Sequence, residues 1–348
     1  MKSSRAARPL LWPLVPVYRF GLALRELQLR LGLKPVRRLK WPVVSIGNLS
    51  AGGAGKTPLT IALAKALSAR GVHVDVLSRG YGRRSTLPLL VDPAGKPEDF
   101  GDEPLLIARE AGVPVYVAAK RYDAGLLAEQ AAKAPQDVPQ NDEESRRPKA
   151  HILDDGFQHR QLARDLDILL LSCRDLTDRL LAAGNLREPL HAAQRAQLIA
   201  IPADEPDVEA EIKARGWKAQ VWRLRRHMEI PHLDGSVAAF CGIAWPDQFF
   251  QGLESAGVKL VSQTAFADHH VYTAADLARV DSAARKAGAI ALLTTEKDLV
   301  RIGALAATLP ASLPLQTVQL QIQIEDETAA LDWLIANFLK PAKPHGTA

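Results

Sequence analysis

Fifteen residues, VVSIGNLSAGGAGKT from Val43 to Thr57, constrain this chain most. The apolar run Val43-Val44-Ser45-Ile46 reads as a β-strand, it empties into a glycine-rich loop, and Pro58 opens an apolar-periodic helix that reaches about Ala69. Strand, loop and helix in that order make a phosphate cradle. Glycines let consecutive backbone N–H groups converge on an anion, and the helix N-terminus adds its partial positive charge. Lys56 is spaced to reach β and γ phosphates, and the Thr57 hydroxyl to ligate Mg²⁺. Pro58 fits, because a first-turn proline gives up an N–H that has no helical partner. One position departs from G-x-x-x-x-G-K-[ST]: Ser50 stands where the first glycine would be. The expected cradle is therefore Ser50, Ala51, Gly52, Gly53, Ala54, Gly55, Lys56 and Thr57, binding a nucleotide's phosphates. The competing reading, a glycine-rich turn with an incidental Lys-Thr, is weakened by the flanking strand and helix.

At 348 residues the chain has room for two domains or one large α/β domain with additions. Its two cysteines, Cys173 and Cys241, lie far apart without metal-ligand spacing and imply no disulfide framework. The net charge of +5 is unevenly spread. Residues 1–40 hold ten Lys or Arg against the single acid Glu26, so the segment is +9 and the remainder −4. The basic partner surface is thus N-terminal, and it suits anionic lipid or nucleic acid.

Between Arg8 and Arg19 lie ten uncharged residues, about half of the ~20 that span a bilayer, so no transmembrane helix is expected there. Prolines 9, 13 and 16 also argue against a secretory signal. From Val17 a helix is expected, with Val17, Phe20, Ala23, Leu24, Leu27 and Leu31 on one face and Leu22 and Leu29 on the opposite one beside Arg25. The broad face is expected to pack on the protein, and Leu22 and Leu29 to press into a lipid interface. The alternative is a helix simply packed on the domain, its arginines solvated.

Downstream, His73–Leu77 reads as a strand running into Ser78-Arg79-Gly80-Tyr81-Gly82-Arg83, a loop beside phosphates or an ordinary turn. Asp102, in Gly101-Asp102-Glu103-Pro104, reads by default as a helix N-cap. Residues 133–149 lose all periodicity and read as a solvated insertion. A strand resumes at His151 and ends in Asp154-Asp155-Gly156, where carboxylates after a P-loop strand can hold Mg²⁺ or form a solvated turn. Leu166–Leu171 is a continuous apolar run, as in a strand buried on both faces. The composition shift at 203–235 reads as an interdomain joint, and strands alternate with helices again from Val237, so both halves read as parallel α/β structure. Thr295-Glu296-Lys297-Asp298 lacks the N-K-x-D spacing, which leaves guanine specificity unsupported.

Seven motifs in order resemble those of the tetraacyldisaccharide 4'-kinase family of lipid A biosynthesis. They are Gly47-Asn48-Leu49 through Pro58, Ser78–Gly82, Gly101–Pro104, Leu153–His159, Asn185-Leu186-Arg187-Glu188-Pro189, Asp268-His269-His270 and Thr294–Asp298. Ser50 belongs to the family's pattern. The resemblance implies transfer of the ATP γ-phosphate to the 4'-hydroxyl of a tetraacylated glucosamine disaccharide 1-phosphate, at the cytoplasmic face of the inner membrane, by a peripheral protein. It implies two P-loop or Rossmann-like α/β/α domains with mainly parallel sheets and the active site between them. The expected segments are a basic amphipathic N-terminus at 1–40, an ATP-binding domain at 41–222, a linker at 223–235 and a smaller α/β domain at 236–348. By position, Asp102 becomes the catalytic base and His269 its partner. Thr57, Asp154, Asp155 and Glu188 are the metal candidates, and Arg79, Tyr81, Arg121 and Arg187 the substrate candidates.

A carboxylate can accept the proton of an attacking sugar hydroxyl, and an imidazole can orient it. Drawing the pair from two domains would couple chemistry to closure and exclude water. The alternative class is a membrane-associated regulatory P-loop ATPase or metallochaperone. Nucleic acid is not an expected partner, since the basic run lacks interleaved aromatic platforms, and no obligate protein partner is inferred.

Overall fold

The structure is a computed structural model that describes residues 9–133, 147–309 and 312–339. Most of the expected 133–149 insertion, the first eight residues with Lys2, Arg5 and Arg8, and the tail from 340 lie outside the described residues. The strands among the described residues are β1 (Val43–Asn48), β2 (His73–Ser78), β3 (Leu89–Leu90), β4 (Val115–Val117), β5 (Lys149–Leu153), β6 (Leu166–Leu170), β7 (Leu198–Pro202), β8 (Gln220–Glu229), β9 (Val237–Cys241), β10 (Leu260–Ala265), β11 (Ala291–Thr295) and β12 (Leu315–Ile324). They form one sheet in the order β10-β9-β11-β12-β8-β7-β6-β1-β5-β2-β4-β3.

Each half is a mainly parallel sheet between helical layers, with β3 antiparallel at the edge of the first, and the pattern is visible in single strands. In β1, Val44 and Ile46 join the core under the helix Lys56–Ala69, while Val43 joins a separate cluster with Leu77 and Leu153. In β9, Val237 and Ala239 face one cluster and Ala238 and Phe240 another. A strand whose alternate residues are buried on both faces must be covered on both, which is why these segments read as continuous apolar runs.

The halves are joined by strand rather than by the expected linker. Residues 220–224 of β8 pair in parallel with β7, and residues 224–229 pair antiparallel with β12. The stretch 223–235 is therefore strand as far as Glu229, because its alternating side chains suit an extended ribbon. The last described elements also return to the first half: Ile322, Ile324, Leu331 and Leu334 share the core of Val44 and Leu63. We propose that the units follow this packing, with the helix Glu327–Phe338 bracing the first half rather than completing the second.

The N-terminal helix, Val15–Arg30, forms as expected but with its faces reversed. Tyr18, Leu22, Arg25 and Leu29 are half-buried and face the protein, whereas Val17 (68%), Phe20 (70%), Leu24, Leu27 and Leu31 stand exposed. Polar anchors decided it. The Tyr18 hydroxyl donates to the Arg187 carbonyl at 2.8 Å, Arg25 donates to the Gln158 carbonyl, and Glu26 pairs with Arg160. These groups lie on the narrow face, so that face docks.

Candidate active site

The P-loop is built as its spacing requires. Gly52 and Gly55 adopt φ of +92° and +89°, a region open to glycine, and the helix begins at Lys56. The loop leans on the 185–187 segment, through Ala51 N–H to the Asn185 carbonyl at 2.8 Å and Arg187 N–H to the Leu49 carbonyl at 2.7 Å. Lys56 folds back to the strand end, 3.0 Å from Asn48 Oδ1 and 3.4 Å from Asp155 Oδ1. Asn48 in turn holds Ser50 through its carbonyl at 2.8 Å and its hydroxyl at 3.1 Å. Ser50 thus enters the cradle through a side-chain turn rather than a glycine turn, and Thr57 is buried behind it.

Asp154 and Asp155 leave β5 in different directions. Asp154 is buried against the hydroxyls of Thr60 (3.4 Å) and Ser78 (3.3 Å). Burial, aided by the charges of Glu103 and Asp155, pushes its carboxyl up to about 7. Asp155 takes a left-handed backbone, φ +47°, and meets Lys56 and Arg187, the latter at 3.0 and 3.1 Å. Burial alone would raise it, but Lys56 and Arg187 prevail and hold it down at about 2. Glu188 is engaged by Arg195 at 2.6 Å. Among the described residues, no three His, Cys, Asp or Glu converge on one metal position.

Asp102 is the first residue of the helix Asp102–Ala111, not the residue that caps it; Gly101 caps that helix. The Asp102 Oδ2 atom lies 3.2 Å from His269 Nδ1, and Arg301 Nε donates to it at 2.6 Å. Burial would raise this carboxyl, yet His269 and Arg301 hold it well below the ordinary carboxylate range. The hydrogen bond to Asp102 raises His269 in turn. The Nδ1 atom can donate to Asp102 or accept from Arg301 Nη2 at 3.2 Å, but not both, and an ionised Asp102 favours donation. His269 also has a left-handed φ of +59°, whereas His270 turns away to Asp276 at 3.1 Å.

Sequence reasoning missed the framework around this pair. Lys297 bridges to Glu103 at 2.6 Å across the two halves. The fully buried Asp298 accepts from Gly242 N–H, Tyr272 Oη, Thr295 Oγ1 and Arg301. The Thr-Thr-Glu-Lys-Asp run is thus a brace for the Asp102–His269 pair, and Arg301 follows one helical turn beyond Lys297. That i+4 spacing was the available signal.

The substrate candidates separate into a cluster and an outlier. Arg121 is 8% exposed, with its Nε buried and without a hydrogen-bond partner. Burial lowers its pKa most, and its charged neighbours are Asp155, Arg79, Asp154 and Arg187. Burial and then the charges of Arg121, Arg164, Arg25 and Arg79 push His159 down to about 4. Tyr81 is exposed, its ring 5.8 Å from that of His269.

A P-loop at the end of a central parallel strand, with a carboxylate of the same half paired to an imidazole of the other half, defines an α/β phosphotransferase. Residues 7–339 match the family model for tetraacyldisaccharide-1-P 4'-kinase. The chain belongs to that family. It is 40% identical over 333 residues to the tetraacyldisaccharide 4'-kinase of Koribacter versatilis, covering 93% of this chain and 97% of that protein. To the same-named protein of Desulfotalea psychrophila it is 36% identical, covering 86% and 89%. Its structure resembles the "apo" form LpxK from Aquifex aeolicus in complex with ATP, with a TM-score of 0.70, 31% identity and coverage of 95% and 99%.

Proposed function

We propose that this protein transfers the γ-phosphate of ATP to the 4'-hydroxyl of tetraacyldisaccharide 1-phosphate in lipid A biosynthesis. The observation that carries the residue roles is the Asp102–His269 contact, which unites the two halves one residue from Glu103, itself within the field of Lys56. Asp102 accepts the hydroxyl proton. It is a weak base, and that suffices because phosphoryl transfer runs through a loose transition state in which the attacking oxygen bonds late. His269, donating from Nδ1, orients the carboxylate. Arg301 keeps Asp102 ionised.

The site fits Mg²⁺ by the chemistry of its donors. Thr57, Asp154 and Asp155 offer hydroxyl and carboxylate oxygens, the hard ligands Mg²⁺ takes alongside phosphate and water. Bound there, Mg²⁺ would neutralise charge on the β and γ phosphates. Glu188 would contribute only on releasing Arg195. Arg79, Arg121 and Arg187 supply converging donors for an anionic headgroup, and the buried unpartnered Nε of Arg121 is the strongest sign of an absent anion. Tyr81 borders the pair from the acceptor side.

The exposed stripe Val17–Leu31 supports work at a membrane surface. No helix among the described residues is long and apolar enough to cross a membrane. A helix that docks by its narrow face beside Arg187 and Gln158 and turns its broad apolar face outward suits an interfacial anchor. Its location would be the cytoplasmic face of the inner membrane, held by acyl-chain contact and by basic residues near anionic lipid.

The test is transfer of labelled γ-phosphate to detergent-dispersed tetraacyldisaccharide 1-phosphate. Wild type should transfer, and Asp102→Ala and His269→Ala should lose transfer while still binding ATP. Wild-type ATP binding with no lipid product would overturn the assignment in favour of a regulatory P-loop ATPase.

A further inference from the structure

Glu188 is held by a residue that lies outside every motif of the sequence. Arg195 closes the short helix Leu190–Arg195 and donates from Nη1 to Glu188 Oε2 at 2.6 Å. Its guanidinium lies against the ring of the fully buried Phe157, with Cζ 4.5 Å from the ring centroid. Its Nε and Nη2 atoms are buried and meet no acceptor among the described residues. A buried cation that spends one nitrogen on a carboxylate and leaves the other two bare is incompletely satisfied.

A second acceptor stands in the same region. Asp167, on β6, is buried on the strand face of Leu169, which packs in one cluster with Phe157. Its Oδ2 atom pairs with Arg164 at 3.1 Å, and its Oδ1 atom is buried without a partner. Burial raises the Asp167 carboxyl, and the charges of Arg164 and Arg195 pull it back, so Arg195 already acts on it. One cation therefore stands among two buried carboxylates, bonded to the first and with spare capacity on the second.

A divalent cation at Glu188 would oppose the like charge of Arg195. We propose that Arg195 is a positioning residue for the metal site, competing with the cation for Glu188 and passing to Asp167 when the cation takes the glutamate. Phe157 is the pivot, since its face holds the guanidinium while the hydrogen bonds at the edge are exchanged. The exchange keeps the buried charge paired, which release from Glu188 alone would not do. The inference rests on the kinase reading for Mg²⁺ and for Glu188 as one of its ligands. It adds a residue that tunes how tightly the cation is held.

The experiment titrates Mn²⁺, in place of Mg²⁺, into the full chain saturated with a non-hydrolysable ATP analogue and without lipid. The readout is loss of the free-ion paramagnetic resonance signal, corrected for the analogue alone. Arg195→Gln removes the competitor and should tighten Mn²⁺ roughly tenfold, the scale of one charged hydrogen bond. Arg195→Met, which retains packing on Phe157, serves the same purpose should the glutamine variant fail to fold. Asp167→Asn removes the receiving charge and should weaken Mn²⁺ several-fold. Without Arg195, Asp167→Asn should have no further effect, because Asp167 acts only through that side chain. Equal weakening by Asp167→Asn with and without Arg195 would mean a field acting at a distance and would overturn the exchange. So would an unchanged or weaker Mn²⁺ affinity on loss of Arg195. Phosphate transfer is not read, so these outcomes are separate from whether the lipid is phosphorylated.

Discussion

Replacing Arg301 with Gln separates the electrostatics of the proposed catalytic pair from its geometry. Arg301 touches neither P-loop nor acceptor candidates; it donates to Asp102 at 2.6 Å and to the Gly242 carbonyl at 2.7 Å. An opposite charge at that range lowers a carboxyl by about 1–3 pH units, and both side chains are about nine-tenths buried. Glutamine should therefore return Asp102 upward by about that amount. The sign is fixed: Asp102 is depressed in the folded state, so its contribution is present above the ordinary carboxylate value near 3.9 and lost as pH falls through the folded value. In the variant that loss comes at higher pH, and the acid limb of kcat/KM should climb by about 1–3 units. Removing one partner of a buried pair costs about 3–5 kcal/mol, and retention of His269 places the expected cost at the low end. The assay is labelled-phosphate transfer across acid to neutral pH, with thermal melting alongside. Arg301→Lys restores charge but not the planar fork. It should recover the wild-type limb with reduced kcat. An acid limb that stays in place in Arg301→Gln while kcat drops would refute the electrostatic argument and leave Arg301 as scaffold.

The exposed stripe predicts that Phe20→Glu with Leu27→Glu reduces flotation with anionic vesicles and leaves melting little changed, since both residues are exposed; unchanged flotation would remove the anchor. A second pH effect comes from His151, fully buried 2.6 Å from Asp75 and 3.6 Å from Glu129. Burial would depress this imidazole, yet the two carboxylates raise it to about 9. Its stabilisation is complete below about 6.5 and lost as pH rises through 9, so wild-type melting should fall across that window. His151→Gln should melt lower at neutral pH with a flatter alkaline slope, and an equally steep slope would show that another group titrates.

The P-loop, the strand–helix alternation and the order of the motifs were legible because each is local. Glycine spacing fixes backbone freedom at the cradle, and continuous apolar runs such as Leu166–Leu171 announce strands covered on both faces. The pairing of Asp102 with His269 was readable only through resemblance, since 167 residues separate them. Arg301 escaped notice, and Lys297 and Asp298 were seen as a motif without a role, because charged residues on a short helix look solvated until the partner half is in place.

The N-terminal helix shows where local reading ends. Its sequence sets two apolar faces and a basic border, but which face docks was decided by Tyr18, Arg25 and Glu26 finding Arg187, Gln158 and Arg160. Likewise, the 223–235 stretch has the composition of a joint, and only pairing with β7 and β12 made most of it strand. The sequence by itself determined the cradle, the fold class and the chemistry of the residues to be assembled, because these follow from neighbours along the chain. The tertiary structure decided which charges meet, which faces stay exposed and how the halves join, because those depend on partners distant in sequence.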